Sequence, residues 1–318
     1  MPPDHRTLSV VVPVYNSATT LTELVDRLTA VLQPAVDVFE IILVDDGSTD
    51  GSRAVLTQLT ARDARTRALV LSRNFGQHNA LLCGIRAARH ELIVTLDDDL
   101  QNPPEDIPLL LGALVDEVDV VYGTPRDRRH DGWRWGVSGI IRLALANVMG
   151  ATTARWVSPY RLFRTSLREA FASYASSFVS IDVLLSWGTT RFASVPVDHH
   201  SRRVGRSTYR LGTLLALAIN MITGYSTLPL QLASIVGFLG VVLGVALFAL
   251  VLGRYLLHGS PVPGFPFLAS IVIVFSGTQL FALGIIGEYL ARMHFRTMGR
   301  PPYVVRSDIT PVDGHPTT

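Results

Sequence analysis

The sequence predicts an α/β fold with a mostly parallel sheet, followed by an interfacial helix and a two-helix transmembrane hairpin. Three observations carry this. Short apolar runs recur through the first half and alternate with segments of helical character, the pattern of right-handed βαβ units. Polar residues cluster directly after these runs. Two stretches, 228–252 and 265–287, contain no charged residue, and each exceeds the roughly 20 residues that a helix needs to cross a bilayer core.

Each element has its own justification. Leu8 to Val12 is a first strand, stopped by Pro13, and Thr19 or Thr20 can cap a helix running to about Leu32. Glu40 to Val44 is a second strand ending in Asp45, Asp46, Gly47 and Ser48, with a helix beyond it to about Ala61. Ala68 to Leu71 is a third, ending in Ser72, Arg73, Asn74, Phe75 and Gly76. A helix from about Gln77 to Ala88 feeds a fourth strand that starts at Leu92. Pro103 and Pro104 open a helix to about Glu117, and Val118 to Tyr122 is a fifth strand. Val137 to Met149 reads as an amphipathic helix. Phe178 to Trp187 reads as a helix carrying one acid, Asp182, within an apolar face. Phe192 to Val197 reads as an edge strand.

Composition excludes several functions. Of 318 residues, 48% are hydrophobic, and the net charge of +2 is too small to argue for nucleic acid. All 28 basic residues are arginine, so there is no Schiff-base or P-loop lysine. The one cysteine, Cys83, cannot form an intramolecular disulfide and sits in an apolar helical pattern, as a buried thiol does. No long apolar run precedes the first strand, so no signal peptide is expected and the N-terminal part should stay in the cytosol.

The most informative stretch is Leu92 to Pro104, LIVTLDDDLQNPP. Ligands of open α/β sheets bind beyond the carboxyl ends of strands, where these acids lie. Alternate residues of an extended segment point the same way, so Asp97, Asp99 and Gln101 can converge while Asp98 points elsewhere. Oxygen-only ligands suit a hard cation, Mg²⁺ or Mn²⁺, completed by substrate phosphates and water. Tyr15, Asp45 with Asp46, and Arg73 with Asn74 follow the ends of neighbouring strands, so four segments build one cleft.

Arginine dominates two loops, 123–142 and 202–210. Residues 211–224 are too short and too interrupted to span, and read as an interfacial helix. The link 253–264 between the two apolar runs is short and rich in proline and glycine. Arg202, Arg203, Arg206 and Arg210 precede the hairpin, and Arg292, Arg296 and Arg300 follow it. The positive-inside bias puts both flanks in the cytosol. The expected domains are therefore a cytoplasmic catalytic domain (1–210), a juxtamembrane helix (211–227), the hairpin (228–291) and a cytoplasmic tail (292–318). A metal in the cleft offsets a diphosphate's charge, and arginines near the bilayer suit a membrane-borne phosphate. Transfer of a nucleotide-activated group to a lipid phosphate needs both.

With these motifs assembled, the chain resembles family 2 glycosyltransferases of GT-A (Rossmann-like) fold, of the type that uses polyprenyl phosphate. The residues that carry the resemblance are VVPVYN (11–16), VDDGSTDGS (44–52), RNFGQ (73–77), TLDDDLQNPPE (95–105), RLF (161–163), RxxGxSxY (202–209), GEYLAR (287–292) and RPPYVV (300–305). The resemblance implies an inverting, metal-dependent transfer of sugar from a nucleotide-sugar, by bacterial analogy a UDP-sugar, to a polyprenyl phosphate on the cytoplasmic face of the plasma membrane. It implies metal ligands Asp97, Asp99 and Gln101. It implies donor contacts from Pro13, Tyr15, Asn16, Asp45, Asp46, Ser48, Asn74, Asp97, Asp98, Arg202 and Arg206. Arg126, Arg142, Arg161 and Ser207 would hold the acceptor phosphate, with Arg126, Arg142 and Arg202 also serving catalysis beside Asp97 and Asp99. Relatives often form tetramers, so a homo-oligomer is implied.

Three positions depart from the family pattern. Ser17 stands where Glu is frequent. Pro159 replaces an Asp sometimes assigned as a base. Thr208 replaces a Lys of the closing loop, where Arg206 can supply the charge. Two other readings follow from the same residues. A membrane-anchored binding protein without catalysis would suit Pro159 and Thr208. A processive polysaccharide synthase would share the cleft motifs, but it calls for more spans and a Q-x-x-R-W motif.

Overall fold

The computed structural model describes residues 6–126, 150–176, 179–199, 228–258 and 265–310. They divide into two units. One contains the residues up to Leu211 together with those from Gly299 onward, and the other is Gly212–Met298.

The first unit is a sheet with helices on both faces. In chain order its elements are β1 (Thr7–Val14), α1 (Leu21–Ala35), β2 (Val38–Asp45), α2 (Ser52–Arg62), β3 (Thr66–Leu71), α3 (Gln77–Ala87), β4 (Leu92–Thr95), α4 (Ile107–Ala113), β5 (Val120–Pro125), α5 (Ala151–Trp156), β6 (Arg161–Arg164), α6 (Ile181–Gly188), β7 (Phe192–Val197) and β8 (Val305–Ile309). Short 3-10 turns occupy Pro104–Asp106 and Thr165–Phe171. The strand order is β7-β5-β6-β4-β1-β2-β3-β8. The pairs β1/β2, β1/β4, β2/β3 and β5/β7 are parallel. β6 runs antiparallel to β4 and β5, and β8 antiparallel to β3.

Strand periodicity fills two cores at once. Val10, Val12, Ile41 and Leu43 face α1, whose Leu21, Leu24, Val25, Leu28 and Leu32 form one apolar stripe. Val11, Ile42 and Val44 point the other way, onto α3. The continuous apolar strands of the sequence are therefore buried on both sides.

β1 runs two residues past the end expected at Val12. Val11 O accepts from Leu96 N, so Pro13, two residues on, faces the same side. β4 has ended there at Thr95, and the proline's missing N–H leaves no ladder bond unmade. Helices α1 and α3 lie on opposite faces, so the gap between β1 and β4 is the switch point of the sheet.

Two further strands escape the sequence pattern. β6 falls where only mixed polarity is evident, and β8 falls in the segment read as a tail. Val305–Ile309 is thus a strand of the α/β unit rather than part of a separate tail. β7 is the edge strand expected. The expected helices at 137–149 and 211–227 lie outside the described residues.

The second unit contains α7 (Leu228–His258) and α8 (Phe265–Thr297), which pack against each other. Within α7, Pro229–Arg254 is long and apolar enough to cross a membrane. Phe238, Leu239, Val241, Leu243, Val245 and Phe248 are all exposed on it. Such all-round apolarity suits lipid rather than water.

One close contact of the first unit is directly testable. A Cβ at Gly84 on α3 would lie 2.3 Å from Val11 Cγ1 and 3.1 Å from Val44 Cγ2. Gly84→Ala should therefore overpack this layer and destabilise the unit by about 1–3 kcal/mol, read as a lowered unfolding midpoint.

Candidate active site

Loops after β1, β2, β3 and β4 surround a cleft of about 340 Å³. Its lining comprises Pro13, Val14, Tyr15, Asp46, Asn74, Gly76, Gln77, Asp97, Asp98 and Asp99. The cleft opens where β1 and β4 part beyond the Val11–Thr95 pair.

Side-chain bonds knit the loops together. Asn16 N donates to Ser48 Oγ at 2.9 Å, and Asn16 Oδ1 accepts from Thr49 N at 2.8 Å. Asp45 is buried and accepts from Ser48 N at 2.9 Å. Asp46 reaches the next loop and accepts from Phe75 N at 2.7 Å and Gly76 N at 2.8 Å. Burial raises the Asp46 carboxyl pKa, and those two amides oppose the rise. Gly47 has a φ of 74° and touches the third loop, since a Cβ there would lie 2.6 Å from Arg73 C and 2.7 Å from Asn74 N. Only glycine fits such backbone contact.

The three acids of the fourth loop all line the cleft but take different partners. The chain turns through Asp98 and Asp99 rather than continuing extended, and buried Leu100 takes a left-handed φ of 60°. Asp98 leans toward β1, accepting from Ser17 Oγ at 2.5 Å and Tyr15 N at 3.2 Å. Burial raises its pKa, opposed by Ser17 and Tyr15 and assisted by the neighbouring Asp99 charge. Asp97 accepts from Gln77 Nε2 at 2.5 Å, and Asp99 accepts from Gln101 Nε2 at 2.8 Å. Ser17 therefore braces Asp98, a position where a frequent Glu would bring a second negative charge.

This donor set fits a hard cation. Asp97 and Asp99 line one cleft, and the Gln101 amide touches Asp99. Among the described residues no three His, Cys, Asp or Glu side chains form a metal cluster. Two carboxylates and an amide give the sparse oxygen set that suits Mg²⁺ or Mn²⁺ sharing its shell with substrate phosphates. Four carboxylates (Asp46, Asp97, Asp98, Asp99) and no arginine appear among the described lining residues. Two unit charges 4 Å apart interact by about 4 kcal/mol near a protein surface. A diphosphate entering alone would be repelled, whereas one carrying a divalent cation would not.

The remaining expected residues divide clearly. Arg126 is exposed at the end of β5, with Nε 3.4 Å from Asp198 Oδ1. Arg142, Arg202, Arg206 and Ser207 lie outside the described residues. Arg161, expected as an acceptor-phosphate ligand, is buried and corrects that assignment. Its guanidinium pairs with Asp182, and its Nε donates to Thr95 Oγ1 at 3.0 Å. A local motif records identity but not the partner on a distant helix. Asn16, Ser48 and Asp45 brace the loops rather than line the cleft. Tyr15 leaves 49% of its surface exposed at the mouth, so a ring face is available for stacking.

Sequence reasoning missed Gln77 and His78. Gln77 lies within the quoted RNFGQ segment but had no assigned role. His78 Nδ1 accepts from Ile181 N at 3.4 Å, tying α3 to α6. Burial pushes its imidazole down to about 4, with Arg161 adding to the fall and Asp182 opposing it.

Known proteins resemble this chain in sequence and in fold. A family model described as glycosyl transferase family 2 matches residues 9–174. An undecaprenyl-phosphate 4-deoxy-4-formamido-L-arabinose transferase of Pseudomonas savastanoi pv. phaseolicola is 37% identical over 302 residues, covering 94% of this chain and 89% of that one. The protein of the same name from Aeromonas hydrophila is 35% identical over 316 residues, covering 97% of each. Among solved structures, glucosyl-3-phosphoglycerate synthase from Mycobacterium tuberculosis aligns with a TM-score of 0.52 at 22% identity, covering 69% of this chain and 80% of that one. Its complex with Mn²⁺, UDP-glucose and phosphoglyceric acid aligns with a TM-score of 0.51 at 22% identity, covering 69% and 78%. At this identity the structures establish the fold, a GT-A arrangement.

Two outcomes follow for this site. Gly47→Ala should force the second and third loops apart and weaken nucleotide binding at least about tenfold, measured by calorimetric titration. His78 titrates near 6.5 when unfolded and near 4 when folded, so its contribution is present above pH 6.5 and lost as pH falls toward 4. The unfolding midpoint should drop across that window, and His78→Gln should flatten the slope.

Proposed function

The chain belongs to glycosyl transferase family 2, and we propose that it transfers a sugar from a nucleotide-sugar to undecaprenyl or a related polyprenyl phosphate. The observation that carries this reading is the cleft lined by four carboxylates and no arginine among its described residues, at the switch point of the sheet. Such a site accepts a diphosphate together with a divalent cation. The names of relatives aligned over 94% or more of this chain supply the acceptor.

Roles then fall to particular residues. Asp97, Asp99 and Gln101 hold Mg²⁺ or Mn²⁺, which when bound offsets the charge of the diphosphate as it departs. Tyr15 stacks on the nucleoside, with Pro13 and Asn74 beside it. Asp45, Asp46, Asn16 and Ser48 hold the loops that shape this pocket. Asp98, fixed by Ser17, follows the donor. Arg126 and Arg142 receive the acceptor phosphate, while Arg202, Arg206 and Ser207 close over the donor.

No carboxylate base is required. Position 159 is proline, and its carbonyl oxygen accepts from Thr95 Oγ1 at 2.8 Å. A monophosphate ester has a second pKa near about 6, so its oxygen is largely anionic at neutral pH. That oxygen attacks the anomeric carbon from the face opposite the leaving diphosphate, inverting the centre. The chain contributes orientation and electrostatics.

α7 and α8 insert in the membrane as a hairpin, with the α/β unit on the cytoplasmic face. The relatives' names carry 4-deoxy-4-formamido-L-arabinose, so a nucleotide-linked substituted pentose belongs in the donor panel beside UDP-glucose, UDP-N-acetylhexosamine and GDP-mannose.

The test uses the full chain in nanodiscs with undecaprenyl phosphate and that panel. Nucleoside diphosphate release should depend on the lipid and on Mg²⁺ or Mn²⁺. The lipid-linked product should have the inverted anomeric configuration by NMR. Asp97→Asn or Asp99→Asn should lower turnover at least about 100-fold. Release without lipid dependence, or nucleotide binding with no turnover on any donor, would contradict the proposal.

A further inference from the structure

Ser158 to Arg161 runs beside the acidic turn and grips it at both ends. At the entering end, Thr95 Oγ1 donates to Pro159 O at 2.8 Å and accepts from Arg161 Nε at 3.0 Å. At the leaving end, Tyr160 Oη donates to Pro103 O at 3.0 Å. Tyr160 and Arg161 are adjacent in sequence, so one short segment reaches both sides of residues 96–102.

The gripping groups are themselves fixed. Tyr160 is fully buried, and Gly123 N donates to its backbone oxygen at 2.9 Å. Burial raises its hydroxyl pKa far above the ordinary tyrosine range, so it remains a hydrogen-bond donor. Arg161 is held by Asp182 of α6, which also accepts from Tyr122 Oη at 3.0 Å. The turn between the anchors is not a low-energy path on its own, because buried Leu100 is left-handed without being glycine. Surrounding bonds must hold it.

We propose that Tyr160 and the Arg161–Asp182 pair are positioning residues that clamp the 96–102 turn and so set the placement of Asp97 and Asp99 for the donor diphosphate. This rests on reading those two carboxylates as the diphosphate end of the cleft. It also gives the segment around Pro159 a role that needs no acid at position 159. The acidic turn is anchored at Thr95 and Pro103 by the Pro159 carbonyl, the Tyr160 hydroxyl and the Arg161 guanidinium.

The test uses Tyr160→Phe and Thr95→Val, each removing one hydroxyl with little change of shape. Hydrogen exchange on full-length protein in nanodiscs should speed up about tenfold at amides of residues 96–102 in both variants, with β1 and β2 unchanged. The apparent KM for donor should rise about tenfold, while that for polyprenyl phosphate stays within about twofold. Unchanged exchange at 96–102 in both variants overturns the clamp. So does a uniform rise in exchange across the unit with both KM values unmoved, which marks a merely structural role. Exchange does not depend on turnover. A wild-type protein that transfers no sugar would therefore end the functional reading alone.

Discussion

The parting of β1 from β4 is the constraint on which the rest of the structure depends. The two strands pair from Leu8–Leu92 to Val11–Thr95, and then β4 stops while β1 continues to Val14. Pro13 enforces the parting on one side because it has no N–H to offer. On the other side the acidic turn leaves β4 and returns through Pro103 and Pro104. The cleft, its four carboxylates and the loops that frame it all follow from this fork.

Charges so close together persist only because each has a defined partner. Asp46 is satisfied by two backbone amides, Asp98 by Ser17 and Tyr15, and Arg161 by Asp182 and Thr95. Removing one member of a buried pair leaves an uncompensated charge, a loss of about 3–5 kcal/mol. Asp97 accepts from the Gln77 side-chain amide, and Asp99 from both the backbone and side-chain nitrogens of Gln101.

Much of this was legible in the chain because parallel strands buried on both faces require an apolar residue at nearly every position. The runs Val10–Val12, Ile41–Val44 and Ile93–Val94 state that directly, and the polar clusters after them mark the common edge. The rest was hidden for identifiable reasons. β6 begins and ends in arginine, and Arg161 is buried only because Asp182, far along the chain on α6, meets it. β8 interleaves two charged residues with Val305, Ser307 and Ile309 beside β3, where Arg67 lies 3.8 Å from Asp308, a pairing that no local pattern encodes. The alternation argument assumed an extended segment, whereas the chain turns through Asp98 and Asp99, Leu100 is left-handed, and all three acids line the cleft.

The central claim is that Asp97 and Asp99 hold a divalent cation against a nucleoside diphosphate. The most direct measurement is calorimetric titration of the full-length protein in nanodiscs with UDP and with GDP, each in the presence and absence of Mn²⁺. One of the two nucleotides should bind at a single site, tightened at least about tenfold by the metal, and Asp97→Ala/Asp99→Ala should remove the metal's effect. Equal affinity with and without Mn²⁺, or a metal effect that survives loss of both carboxylates, would contradict the account.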